Sequence, residues 1–257
     1  MISQVSFLNV RFNRLSFEAA VQDLLPRIMG RRISRIYYAN AHTMVTAEKC
    51  TALTTALNRC DLLLADGSGV LWGSRLLGNP LTYNLNGTDL TPALCKLGAS
   101  EGLSVYFLGA KPGIAEFAAS KLAESYPGLK IAGVQDGYFK DSETDIVLEK
   151  IRKARPHLLL VAMGVTRQEI WIDLHANRLP DIACMGVGGL FDFMAEQVPR
   201  APLAVRQCGF EWAWRLLMEP RRLWRRYTIG NLVFCGLILR HVFSEYKMFA
   251  ARESTIR

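Results

Sequence analysis

This sequence predicts an α/β fold: a mostly parallel sheet with helices on both faces, plus a basic, aromatic helical appendage at the C-terminus. Three observations lead there. Apolar runs of strand length alternate with helical patterns through residues 1–198, and repeated βα alternation builds parallel sheets covered on both sides. Glycine-containing loops follow most of the candidate strands, at the strand ends where such sheets bind ligands. Residues 199–234 then gather seven arginines, three tryptophans and a tyrosine, a density that a closed soluble domain rarely needs.

The candidate strands are 35–39, 62–65, 105–108, 130–133, 157–163 and 182–187. Helical patterns fill 113–126, 144–154 and 167–178, and Ser142 with Asp145 offers a capping box for the second of these. There is no internal repeat and no low-complexity segment. A chain of 257 residues suffices for one sizeable core with an appendage, which divides it at 1–198 and 199–257.

Composition narrows the partners. Half the residues are apolar and 21% are charged, which marks a globular chain. The net charge of +8 is concentrated late: between Arg206 and Arg257 ten Lys and Arg stand against four Glu. A basic, aromatic, apolar terminus fits an anionic lipid surface better than nucleic acid, and no nucleic-acid motif lies upstream. Cys50, Cys60, Cys95, Cys184, Cys208 and Cys235 are scattered without a CxxC pair, the pattern of reduced thiols. The N-terminal MISQVSFLNVRFNRLSF lacks a basic start before a long apolar run, so no signal peptide is expected. The longest apolar stretch, 229–239, contains Gly230, Asn231 and Gly236. It falls short of the ~20 residues of a spanning helix, so the chain is expected to lie on a membrane and not cross it.

The chemistry-bearing residues sit just after the strands. They are Asn40-Ala41-His42, then Asp66-Gly67-Ser68-Gly69, then Gly109-Ala110-Lys111-Pro112-Gly113. Gly164 to Glu169 and Gly186-Val187-Gly188-Gly189 follow the last two, the latter running into Phe191-Asp192-Phe193. Glycine at a strand-to-helix turn lets backbone amides approach an anion, and the helix N-terminus adds a favourable dipole. None of these loops is GxGxxG or a P-loop, which argues against an NAD(P) or S-adenosylmethionine enzyme and against an NTPase. His42, His157, His175 and His241 show no metal-ligand spacing, and there is no D-x-D sequence. Asp141, Glu143 and Asp145 read as a solvated helix start. No metal and no cofactor are expected.

Several motifs in order carry a specific likeness: LLLADGSGV (62–70), NGTDL (86–90), YFLGAKPG (106–113) and DGYF (136–139). VAMG-x-x-RQEIWI (161–172), GVGGLFDF (186–193), RAP (200–202) and EWAWRLLMEPRRLWRRY (211–227) complete it. The chain resembles, over nearly its whole length, the WecG/TagA/CpsF family of glycosyltransferases (glycosyltransferase family 26). The resemblance implies a Rossmann-like core and an inverting, metal-independent transfer. The donor would be a UDP-sugar and the acceptor a saccharide on polyprenyl diphosphate, at the cytoplasmic face of the bacterial inner membrane, in exopolysaccharide or other surface-polysaccharide synthesis.

Inversion in one displacement needs a base for the acceptor hydroxyl. Asp66, which matches the family's DG motif, is that candidate; the bland reading is a helix cap. Asn40 either hydrogen-bonds sugar or acceptor, or holds a turn. The family's QE pair is matched by Gln168, which would contact nucleotide, and Glu169, equally a first-turn carboxylate facing the helix dipole. Gly109, Lys111, Gly113 and Gly188 would line the donor side, and Asn84, Asn86 and Asp89 the acceptor or sugar pocket. Asp192 is a site residue or a buried structural acid. Without a metal, positioned cations must meet the charge that develops on the departing UDP. Arg215, Arg222 and Arg225 are the expected ones, on an appendage that would close over the site. Helix-surface pairing with Glu211 and Glu219 is the alternative for such arginines.

Departures from the family pattern are Val165-Thr166 where a proline is usual, Asn84 and its neighbours where an arginine precedes G-x-D, and Tyr38 where threonine is common. Glu196 lies where a glycine is usual. They bear on which sugar is handled more than on the reaction. A different class of function consistent with the tail is a catalytically silent membrane partner within a polysaccharide assembly complex.

Overall fold

The computed structural model describes residues 2–32, 35–197 and 199–256, with side chains in the last helix described as far as Ser244. The chain opens on a hairpin, β1 (Gln4–Phe7) and β2 (Val10–Asn13), whose alternating Val5, Phe7, Val10 and Phe12 are buried. It continues through α1 (Phe17–Met29), β3 (Arg35–Ala39), α2 (Ala41–Ala47), α3 (Thr51–Arg59), β4 (Leu62–Ala65), α4 (Ser68–Leu76) and α5 (Gly87–Ala99). Then come β5 (Ser104–Gly109), α6 (Ile114–Ser125), β6 (Lys130–Gln135), α7 (Thr144–Ala154), β7 (Leu158–Ala162), α8 (Arg167–His175), β8 (Ala183–Gly186) and α9 (Leu190–Met194). The C-terminal helices are α10 (Leu203–Gln207), α11 (Glu211–Met218), α12 (Pro220–Tyr227) and α13 (Ile229–Ile256).

Six strands form one parallel sheet in the order β4-β3-β8-β7-β5-β6. Their near-continuous apolar sequences, such as LLLA and LLLVA, are those of strands buried on both faces. One face carries a core built with Leu24, Leu94 and Ala118 from α1, α5 and α6. The other packs Phe12, Leu57 and Ile172 from the hairpin, α3 and α8. All six strands fall where the sequence predicts them, within two residues at each end. The hairpin was not anticipated. It covers the sheet edge: Asn13 Oδ1 accepts from the Leu63 amide of β4 at 2.9 Å, occupying a donor that an open edge would expose. The expected Ser142–Asp145 box is also absent. Glu143 accepts from the Lys140 amide at 2.7 Å within a 3₁₀ turn over Asp141–Glu143, while Asp145 pairs with Arg178.

The chain order reverses direction within the sheet. From β3 the chain steps outward to β4, and from β5 outward to β6, with β7 and β8 filling the centre. Such a switch opens a crevice beyond the carboxyl ends of the strands. The C-terminal helices border that crevice. α13 continues through Gly230, Asn231 and Gly236, residues that read as interruptions in the sequence. Its Phe234 and Ile238 are buried, and Gly73 of α4 leaves room for both. By length and composition alone the run Pro220–Ser244 is long and apolar enough to cross a membrane, its most apolar 18 residues having a mean hydropathy of 1.2, which the 229–239 stretch by itself did not suggest.

Candidate active site

Asp66 follows β4 directly and is held from below, its amide donating to Ala39 O at 3.0 Å. Asn40, the residue after the neighbouring strand β3, holds its carboxylate. The Asn40 Oδ1 caps α2 by accepting from the Thr43 amide at 3.1 Å, and its Nδ2 donates to Asp66 Oδ2 at 3.2 Å. One side chain thus holds the turn, as one of its two readings had it, and also aims the acid, a role the sequence did not suggest. Burial pushes the Asp66 pKa above the ordinary aspartate value. The Asn40 hydrogen bond, Arg226 and Arg215 pull it back, and Asp89 pushes it up.

Beside Asp66, the QE pair divides into two roles. Glu169 is fully buried; its Oε2 accepts from the Thr166 amide at 2.7 Å and its Oε1 from Gln168 Nε2 at 2.7 Å. Burial pushes its pKa up while these bonds oppose the shift. Together they brace Thr166, which sits at a φ of 80° that a β-branched residue adopts only under constraint. Glu169 therefore lies behind the site as a helix-start carboxylate. Gln168 lines the cleft and accepts from the Gly188 amide at 3.0 Å, which fixes the glycine loop after β8.

On the β5 side Lys111 lines the cleft and Gly109 and Gly113 shape it from outside. Gly109 has a φ of 130°, and a Cβ there would collide with the Ala162 carbonyl, so only glycine lets β5 and β7 end side by side. Asn84 and Asn86 line the wall opposite. Asn84 Oδ1 accepts from the Gly67 amide at 2.7 Å, and Asn86 caps α5 by accepting from the Asp89 amide at 2.9 Å. Asp89 lies outside the wall, paired with Arg200 at 2.6 Å and Arg206 at 3.5 Å. The NGTDL and RAP motifs, remote in sequence, are thus two halves of one ion-pair cluster, which Glu211 joins at 3.7 Å from Arg200.

The C-terminal helices close the cleft. Arg215 stacks over the Phe193 ring at 4.6 Å, and Arg222 pairs with Glu219 at 2.7 Å and Asp192 at 3.8 Å. Asp192 itself lines the cleft with its side chain 30% exposed, so it is not the buried structural acid that was the alternative reading. Arg225 is exposed and lies over Trp224, outside the cleft wall. Arg226 takes the inward position instead, half-buried in the wall. Its neighbour Arg222 precedes it by one helical turn, whereas Arg221 and Arg225 form the outward pair, and that spacing was readable. The Nε atoms of Arg215 and Arg226 are buried with no hydrogen-bond partner, and no ion pair of either arginine appears among the described residues. Burial lowers the Arg226 pKa, as does Arg215, while Asp66 raises it.

Two further wall residues were named in the sequence but given no place in the site. His42 in the first turn of α2 is pushed down to about 4 by burial and by Arg226, so it is neutral at physiological pH. Glu211 lines the cleft too; burial pushes its pKa up, Arg200 opposes this, and Asp66 and Asp89 add to it. The whole cleft has a volume of about 850 Å³, within the ordinary range of small-molecule sites. Among the described residues no three His, Cys, Asp or Glu side chains converge as a metal site. What the arrangement offers is one carboxylate poised by an amide, facing guanidinium groups that lack anionic partners.

The family model of the glycosyl transferase WecG/TagA/CpsF family matches residues 5–248. N-acetylglucosaminyldiphosphoundecaprenol N-acetyl-beta-D-mannosaminyltransferase from Bacillus spizizenii is 35% identical over 185 residues, covering 72% of this chain and 70% of that protein. The protein of the same name from Staphylococcus aureus strain MW2 is 28% identical over 234 residues, 90% of this chain and 91% of its own.

Proposed function

We propose, because the chain belongs to the WecG/TagA/CpsF glycosyltransferase family, that it transfers an N-acetylhexosamine from a UDP-sugar to a polyprenyl-diphosphate-linked saccharide, with inversion and without a metal. The observation that carries this reading is the presence in one cleft of Asp66, aimed by Asn40, with Arg215 and Arg226, whose Nε atoms have no hydrogen-bond partner among the described residues. The acceptor hydroxyl gives its proton to the Asp66 carboxylate as its oxygen bonds to the anomeric carbon. The bond from that carbon to the diphosphate oxygen breaks on the opposite face, and UDP leaves with the electron pair. Arg215, Arg226 and Arg222 stabilise the charge arriving on the diphosphate. A neutral His42 is a further donor to the same anion, while the Gly188 amide stays bonded to Gln168 Oε1. The relatives named for transfer to N-acetylglucosaminyldiphosphoundecaprenol suggest that acceptor.

The proposed location is peripheral, on the cytoplasmic face of the bacterial inner membrane. Phe234 and Ile238 commit one face of α13 to the protein core, and exposed Trp224, Leu232 and Phe243 with Arg221 and Arg225 are suited to an anionic surface. On this reading residues 199–257 act as an appendage of a 1–198 core. The test is a panel of labelled UDP-sugars with polyprenyl-diphosphate N-acetylglucosamine, EDTA present. Transfer from one UDP-N-acetylhexosamine, undiminished by EDTA, is expected; loss of transfer in EDTA, restored by a divalent cation, refutes the metal-free reading. A chain ending at Pro199 should lose both transfer and sedimentation with anionic vesicles, since Arg215, Arg222 and Arg226 go with the tail. Full activity without it would remove these arginines from the reaction.

A further inference from the structure

The two ends of the cleft differ in chemistry. Beyond β5 and β6 its wall carries Lys111, Arg167 and Tyr138. At the β4 end it is walled by Trp72, Trp212, Tyr227 and Phe234. Asp66 sits at this second end, and α4 starts immediately after the Asp66-Gly67 turn.

Ser68, Trp72 and Leu76 succeed one another at one-turn intervals along α4 and so share a face. Ser68 is tied to the C-terminal helices, its hydroxyl donating to Gly209 O at 3.0 Å. Trp72 is 64% exposed and Leu76 51% exposed, although both are large apolar residues on a helix of the main core. A different side of α4 does the packing: Gly73 faces Phe7, Phe234 and Ile238. With a rise of 1.5 Å per residue, the open stripe reaches from Ser68 to Trp72 over about 6 Å and to Leu76 over about 12 Å. It thus leads from beside the carboxylate to the outer surface.

We propose that Trp72 and Leu76 form the track by which the first isoprene units of the acceptor leave the cleft. This rests on the functional reading above and adds the part of the molecule that takes the lipid. An acceptor whose hydroxyl meets Asp66 approaches from the face opposite the departing UDP, and its hydrocarbon must leave the cleft at the Asp66 end. The polar β6 end does not suit it. The α4 stripe is apolar, continuous with the cleft and unpartnered, and an indole presents a broad apolar face while its N–H stays toward water.

The experiment compares transfer to two acceptors with the same sugar diphosphate, the short one carrying only a methyl group, too small to reach Trp72, the other a long polyprenyl chain in detergent. Trp72→Ala should raise KM for the long acceptor by about tenfold, the scale of losing one large apolar contact, with kcat kept and the short acceptor unaffected. Trp72→Phe should recover most of the loss, and Leu76→Gln should reproduce a smaller one. Both positions are exposed, so thermal melts should match wild type. Equal effects on the two acceptors, or none, would overturn the track. So would a defect seen only with vesicles and accompanied by weaker vesicle binding, which would make Trp72 a membrane contact. Failure of the wild type to use either acceptor would refute the functional reading itself, and the track with it.

Discussion

Asp66→Asn is expected to lower kcat by roughly 10³-fold, within the range contributed by a positioned general base, while leaving a folded and more heat-resistant protein. The amide keeps the size of the acid but cannot take the acceptor proton. The stability gain follows from linkage. Burial raises the Asp66 pKa in the folded chain, so the folded state holds that proton more tightly than the unfolded state does. Ionisation therefore costs stability as pH rises above the unfolded value, up through the folded pKa. Asparagine carries no such cost. Melting temperature should be higher for the variant at neutral pH, and the difference should close as pH falls below the ordinary aspartate value. A variant that is inactive and less stable at neutral pH would point to a structural role for Asp66.

Arg226→Gln should lower kcat by about 10²- to 10³-fold, the usual cost of removing one preorganised partner of developing negative charge. The guanidinium is half-buried in the wall with its Nε unpaired, so an incoming diphosphate would replace no existing ion pair. Glutamine leaves the shape and removes the charge. Arg226→Lys should recover only part of the rate, because an ammonium is a point charge without the planar fork that grips phosphate oxygens. Single-turnover measurement with saturating donor separates this from donor affinity. A loss confined to KM would assign Arg226 to binding alone.

Much of this site was legible because parallel sheets put their chemistry after the strands. Asp66, Asn40 and Gly188 stand just after strands, the family's DG motif singled out Asp66 as the base, and all three border one cleft. Adjacent helical residues were harder. Gln168 and Glu169 differ by about 100° around α8, and only the fold shows that Glu169 turns inward to brace Thr166. The same ambiguity affected Arg225 and Arg226, whose facing is set by the break at Glu219-Pro220 between α11 and α12. Asp89 could not be recognised as an ion-pair partner, since Arg200 and Arg206 come from a distant segment. The β1–β2 hairpin did show period-two alternation at Val5, Phe7, Val10 and Phe12, but its strands are four residues each. The tail helix was underestimated because Gly230 and Gly236 read as breakers. Each costs about 1 kcal/mol relative to alanine, and the burial of Phe234 and Ile238 against the core offsets it.

The central claim is that a base from the sheet and cations from the C-terminal helices act on one reaction in one cleft. Asn40, Arg215, Arg226, Asp89 and Glu211 are the polar and charged groups whose influence meets at Asp66. The direct test is the pH dependence of kcat/KM for wild type beside Arg226→Gln. The account predicts that activity falls on the acid side as Asp66 takes a proton, and that this limb moves to higher pH in Arg226→Gln, because the guanidinium that favours the carboxylate is gone. An acid limb at the same pH in both proteins would contradict it.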